Sequence, residues 1–596
     1  MKSLPTLGVV VEAAQRAARR FPLVLLSGAL SAAAGILIVN SSGDEEPYTR
    51  LLATATLGLP LLFALTLTGE RRFAPGDRRR WVLLGAGVLV LLLFWVLWPR
   101  WPEPVQIARY VELSVSFHLL AAFLPYAGYD EPDGFWQYNR ALFMRFLMAG
   151  LFAGVLYGGL AIAFAALDKL LGVDVPNEAY GRLWMVMAFV FTTWFFTGGV
   201  PEDLAALEQR RDVPEALRIF AQYVLVPIVV VYLVILTLYL GKVVIEQQWP
   251  SGWIGYLVSS VASVGILAWL LVRPLEGSAH RWVRTYTRGF YVALLPAIVM
   301  LWLAIGKRVA QYGVTERRYF MIVLSLWWAG IAIYYTFGRS RNIKVIPATL
   351  CLLGLVTFMG PWGAYRVSLA SQRGRLDRLV ARYALRPAAT PTGAPSSELR
   401  EVPFGDRKEV AATLRYLLRR GDGKAIAARF GGSAIPTSAN VEPRVRKLMA
   451  SLGVGYVSPW QSEDSVESLS LSSSWDRAPM RIDRYTYALH LAPRGVGDSV
   501  EIEQGTFLTF VKGQNVFRVT TDGRAVLEIP LQPVIDRVAT YRRQRDDRQV
   551  PMSLLRAEAT AGTSAGALYL TNLFATKQGG AWSVSSYAGE LFLRLR

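Results

Sequence analysis

Eleven apolar stretches, each 17 residues or longer, follow one another between Phe21 and Tyr365, and no other property of the chain restricts its fold as severely. They are Phe21–Asn40, Leu51–Thr68, Trp81–Trp98, Ile107–Tyr126, Ala141–Leu167, Leu183–Val200, Leu217–Ile245, Gly252–Val272, Phe290–Gly306, Tyr319–Phe337 and Val345–Tyr365. Each reaches the length a helix needs to cross a hydrocarbon layer roughly 30 Å thick. A segment such as WVLLGAGVLVLLLFWVLW offers no polar face, so the economical fold for it is a helix surrounded by lipid or by other helices. Trp81, Trp98, Trp101, Trp249, Trp253 and Trp362 gather at the ends of these stretches, where an interfacial aromatic belt belongs.

Hydrophobic residues make up 53% of the chain, yet 64 Lys and Arg face 44 Asp and Glu, a net charge of +20. On a soluble chain this charge would point to nucleic acid. Here it divides into +10 for residues 1–366 and +10 for residues 367–596. With the N-terminus inside, the first half places twenty-one basic residues on the cytoplasmic side and ten on the other, the asymmetry of the positive-inside rule. Eleven crossings then put the C-terminus outside. Arg16, Arg19 and Arg20 stand directly against the first span, so residues 1–20 read as an amphipathic interfacial helix and not as a cleaved signal.

Beyond Arg366 no segment could span. A helix (about 368–385) and a Pro/Ala-rich linker (386–398) precede further helices at Asp406–Arg420 and Pro443–Leu452. The apolar period then changes to two in IDRYTYALHLAP, DSVEIEQG, TFLTFVKG, NVFRVTTDG and AVLEIPL, with KGQN and TDGR as hairpin turns and a helix at Gln532–Arg545. The expected fold is a polytopic α-helical membrane bundle of about eleven transmembrane helices followed by a soluble α+β domain. Residues 1–20 are the interfacial helix, 21–366 the transmembrane domain, 367–400 the helix and linker, and 401–596 the outer soluble domain.

One cysteine (Cys351) and three histidines (His118, His280, His490) exclude a disulfide framework and a Cys/His metal site. No phosphate loop or zinc-protease helix is present in the sequence, and no catalytic, cofactor or metal residue is assigned. Candidates come instead from charges inside the membrane, each costly unless paired or hydrated. Arg109 and Glu112, three apart, share a helical face as a binding site or a self-neutralising pair. His118 lies elsewhere on that helix, as a proton relay member or a packing contact. Arg218 and Gln222 open a span interrupted by Pro227. On the outer face stand Asp44, Glu45 and Glu46, then Glu316 and Arg318. The layout is similar to that of polytopic glycosyltransferases with lipid-phosphate sugar donors, although their first outer loop is long and this one is short.

The segments FWQYNRALFMRF, PEALRIFAQYVLVPIVVVYLVIL, QQWPSGWIGYLVSSVASVGIL, YGVTERRY and GPWGAYRVSLASQRGRLDRLV, in this order, resemble the bacterial membrane-protein family catalogued as domain of unknown function 4153, from about Phe135 to Leu385. The resemblance implies a polytopic inner-membrane protein with a C-terminal soluble module and no assigned activity. It singles out Arg218, Gln222, Trp249, Trp253, Tyr312, Glu316, Arg318, Gly360, Pro361 and Trp362.

The expectation is a non-enzymatic protein that transports or senses a small or lipidic ligand, with the outer domain binding or gating. An outer-face enzyme on a lipid-linked or glycan substrate and a scaffold of an envelope complex are the alternatives. Membrane lipids, with an anionic lipid or glycan as ligand, are the expected partners. Nucleic acid is not, and no cofactor is expected.

Overall fold

The computed structural model describes residues 7–595 apart from 42, 44, 100–103, 247–252, 276–280, 339–341, 359, 386–400, 422, 424, 427–429, 431–439, 460–466, 475–481, 492–498, 545–548 and 579–580. Asp44, Trp101, Trp249 and the expected 386–398 linker therefore lie outside the described residues. The chain divides into two units, residues 1–456 and 457–596.

In the first unit, α1 (Leu7–Arg20), α2 (Pro22–Asn40), α3 (Glu46–Arg72), α4 (Arg78–Leu97), α5 (Pro104–Phe123) and α6 (Pro132–Leu171) come first. A helical run follows that changes to π geometry at Val186–Phe191, between α7 (Asn177–Met185) and α8 (Thr192–Gly198). The next run does the same at Phe220–Leu225, between α9 (Glu215–Ile219) and α10 (Val226–Glu246). Then come α11 (Trp253–Val272), α12 (Arg281–Tyr312), α13 (Glu316–Phe337), α14 (Val345–Phe358), α15 (Ala364–Arg382), α16 (Phe404–Arg419) and α17 (Val441–Ser451).

Among the described residues nine helices are long and apolar enough to cross a membrane. Each of the eleven apolar stretches falls on a helical segment, but two depart from a simple span. Leu183–Val200 holds the π segment, and Val345–Tyr365 forms only the 14-residue α14. At 1.5 Å per residue that helix extends about 21 Å, short of a full hydrocarbon core. Gly360 adopts φ +80°, and the GPWGA segment turns the chain into α15. The apolar run was continuous because a turn rich in Gly, Pro and Trp carries no charge to mark it.

The membrane helices share one core, in which Tyr291 stacks on Tyr335 and Trp269 packs against both, with ring centroids 4.6–5.2 Å apart. The Trp269 indole N–H donates to the Thr287 carbonyl at 2.9 Å. A second core in this unit joins Leu376 and Leu379 of α15, Val410, Leu414 and Leu417 of α16, and Val445 and Leu448 of α17. This three-helix cap is closed by Arg415, whose guanidinium grips Glu442 with two hydrogen bonds of 2.5 and 2.9 Å.

The second unit holds strands β1 (Glu467–Ser474), β2 (Tyr487–Leu491), β3 (Ser499–Glu503), β4 (Thr506–Val511), β5 (Val516–Thr521), β6 (Arg524–Pro530), β7 (Gln549–Pro551), β8 (Arg556–Ala561), β9 (Ser564–Gln578) and β10 (Ala581–Arg594), with α18 at Gln532–Gln544. β3-β4-β5-β6 form one antiparallel meander; β2-β10-β9-β1-β7 form a second sheet, on which β8 pairs with β9. The alternation in β4 and β5 buries Leu508, Phe510, Phe517 and Val519 in one core with Val534, Ile535 and Val538 of α18. Asp522 (φ 50°) and Gly523 (φ +76°) make the β5–β6 turn, the pair of positive φ values that a two-residue hairpin demands.

Candidate functional site

The YGVTERRY segment spans the end of α12, the loop Gly313–Thr315 and the start of α13. Gly313 takes φ +65° and closes α12 through its N–H to the Val309 carbonyl (2.8 Å). A side chain there would also collide with Gln372, whose Nε2 would lie 2.9 Å from the added Cβ. The carbonyls left open at the helix end are taken by side chains. Arg318 donates to Tyr312 (3.1 Å) and Gly313 (2.7 Å), Gln372 to Tyr312 and Val314 (both 3.0 Å), and Arg375 to Gln311 (2.9 Å). The α12–α13 loop is thus gripped by α13 on one side and by α15 on the other.

Behind this loop Glu316 is buried and forms an ion pair of 2.9 Å with Arg420, which caps α16. Tyr416 stands beside them. Burial first, then the charge of Glu316, raises its hydroxyl pKa and keeps the proton on the oxygen.

Arg109 and Glu112 do not bridge to each other. Glu112 accepts a hydrogen bond from Thr357 of α14, and Arg109 lies 5.3 Å from the Tyr365 ring. Tyr365 senses the charges of Glu112, Glu316, Arg420 and Arg109 together. Glu316, which sequence kept apart from Arg109 and Glu112, therefore lies near the same tyrosine as they do, whereas Arg318 is turned to the α12–α13 loop. Tyr319 joins them to the GPWGA turn by donating to the Trp362 carbonyl at 2.7 Å.

The remaining candidates lie elsewhere. His118 is bonded through Nδ1 to the Ser114 carbonyl on its own helix (2.8 Å). Arg218 is exposed and pairs with Glu215 (3.1 Å), while Gln222 is buried in the π segment before α10. Glu45 is exposed, and Glu46 pairs with Arg50 one turn along α3.

On the membrane side of the α12–α13 loop is a cavity of about 400 Å³. Its apolar wall comes from Ile254 of α11, Leu301 and Ile305 of α12, and Met321 of α13. Its polar wall comes from Arg308, Arg317 and Arg318, and among the described residues no carboxylate lines it. Arg317 is steadied by the Tyr256 hydroxyl at 3.2 Å. Sequence reasoning singled out Arg318 but not Arg308 or Tyr256. The available signal was Arg308 and Arg318 flanking one short loop, but the α11 wall left no mark in the pattern.

Residues 25–394 match the family described as Domain of unknown function (DUF4153). The chain belongs to this family. The DUF4153 region takes in the cavity, the Glu112–Thr357 contact and α15, whereas α16, α17 and the second unit lie beyond it. A curated relative, "Uncharacterized protein PM1469" of Pasteurella multocida (strain Pm70), is 21% identical over 339 residues, which cover 56% of this chain and 56% of that protein. The chain thus spans little more than half the length of that relative. No solved structure matches.

Proposed function

We propose that this DUF4153 protein is a non-enzymatic receptor in the bacterial inner membrane that binds an anionic amphiphile in the cavity between α11, α12 and α13. The observation that carries this reading is the lining: among the described residues, three arginines, an apolar wall and no acid. Such a wall attracts a negatively charged head and gives its hydrocarbon part an apolar bed. The distribution of basic residues supports an orientation with the cavity on the extracytoplasmic face and the Arg-rich loops inside. Sensing is favoured by the neighbourhood, since the cavity lip Thr315–Arg318 contains Glu316, whose partner Arg420 belongs to the cap. The catalytic alternative finds no carboxylate at the cavity wall.

The test is thermal unfolding of the full chain in detergent with dodecyl phosphate or the zwitterionic dodecylphosphocholine. Dodecyl phosphate is expected to raise Tm, and Arg308→Gln with Arg317→Gln to remove most of that rise. Equal shifts with both amphiphiles, or an unchanged rise in the double variant, would overturn the proposal.

A further inference from the structure

A second cleft lies between α6 and the segment joining α8 to α9. Arg145 stands within the apolar part of α6, and its guanidinium rests on the bare backbone of Gly199. A Cβ at position 199 would come within 2.3 Å of Arg145 Nε and 2.4 Å of its Cζ, so glycine alone leaves the guanidinium its place. Arg140, just over a turn earlier, is neutralised by Asp212 at 3.3 Å. Arg145 has no ion-pair partner among the described residues.

The cleft measures about 640 Å³. Its wall carries two unneutralised cations, Arg145 and Arg210, and two carboxylates, Glu202 and Asp203. Asp203 is fixed there because its Oδ1 accepts the amides of Ala205 and Ala206 at 2.9 and 3.1 Å. Met144 and Met148 supply an apolar edge that is also exposed along the outside of α6, so the cleft runs into the lipid-facing surface.

This balance of charge differs from that of the first cavity. A purely anionic head would meet two carboxylates as well as two arginines, whereas a zwitterion can satisfy both signs. We propose that the α6–Gly199 cleft binds the head of an aminophospholipid, with its phosphate on Arg145 and Arg210 and its ammonium on Glu202 and Asp203. The methionine edge takes the start of the acyl chains. The proposal does not depend on the function assigned to the Arg308 cavity.

The experiment titrates delipidated full-length protein carrying Arg308→Gln and Arg317→Gln, so that the first cavity does not contribute, in detergent with short-chain phosphatidylethanolamine, short-chain phosphatidylglycerol and inorganic phosphate. Phosphatidylethanolamine is expected to bind best. Arg145→Gln should weaken it roughly tenfold or more, as expected for loss of a charge-assisted hydrogen bond. Gly199→Ala should weaken it as well by displacing the guanidinium. Glu202→Gln, at the exposed rim, should shift the preference toward phosphatidylglycerol, and it carries the test if Arg145→Gln does not fold. Phosphatidylglycerol or inorganic phosphate binding this Arg308→Gln, Arg317→Gln protein as tightly as phosphatidylethanolamine would overturn the proposal. So would undiminished affinity in Arg145→Gln, or an unshifted preference in Glu202→Gln.

Discussion

Glu316, the first residue of α13, is paired at 2.9 Å with Arg420, the residue that caps α16. The contact ties the mouth of the arginine-lined cavity to a helical cap that lies beyond the family-matched segment. A carboxylate this buried is costly without its cation, so the pair holds the cap in one position relative to the α12–α13 loop.

Glu316→Gln is therefore expected to release the cap before it unfolds the membrane helices. Removing one member of a fully buried pair costs about 3–5 kcal/mol, and Arg420 is partly exposed, so a loss of about 1–3 kcal/mol is expected. The measurement is limited proteolysis of residues 404–456 together with thermal unfolding. Arg420→Gln should do the same, and the double variant should cost less than the sum of the two. Additive losses would show that the two residues are uncoupled.

A pH dependence follows from Glu442. The hydrogen bond from Arg415 holds its carboxyl below the ordinary glutamate value, against the opposing effect of burial. A depressed folded-state pKa contributes stability that is complete above the unfolded pKa, about 4.3, and is lost as pH falls through the lower folded value. Cap stability should thus decline below about pH 4 in the wild type. Glu442→Gln should be less stable at neutral pH and should lose this part of the acid dependence. Hydrogen exchange of α16 and α17 at several pH values reads the difference.

In the second unit Asn515 combines two tasks. Its backbone takes φ 52°, and its buried amide donates to the Trp582 carbonyl (2.5 Å) and accepts the Val584 N–H (2.9 Å). Asn515→Ala should cost about 2–4 kcal/mol, because it leaves two backbone groups unpaired and strains a left-handed residue. Asn515→Gly should cost less, since it relieves the strain without restoring the bonds. Hydrogen exchange of β9 and β10 in the full chain under increasing denaturant orders the three proteins. Equal losses for Ala and Gly would mean that conformation contributes nothing.

The membrane helices and the strands β2 to β6 were readable because they depend on local pattern. Long uncharged runs have no stable place except in a helix away from water, and a period of two in TFLTFV or NVFRVTT marks one buried face. Asp522 and Gly523 announced their turn for the same reason, as the residue types that tolerate positive φ. The length of α14 was not legible, because the Gly-Pro-Trp turn after it is as apolar as the helix itself.

The site needed tertiary structure. Spacing placed Arg109 and Glu112 on one face, but packing turned Glu112 to Thr357 and Arg109 to Tyr365, where other helices offered closer partners. Glu316 appeared as a loop acid facing water. Only the fold brought Arg420 to it from far along the chain and buried the carboxylate. Hydropathy acts over neighbouring residues and can be read in order, so the sequence alone determined that this chain is built for a membrane. Which charges meet depends on helices that approach one another in space, and that was decided by the tertiary structure.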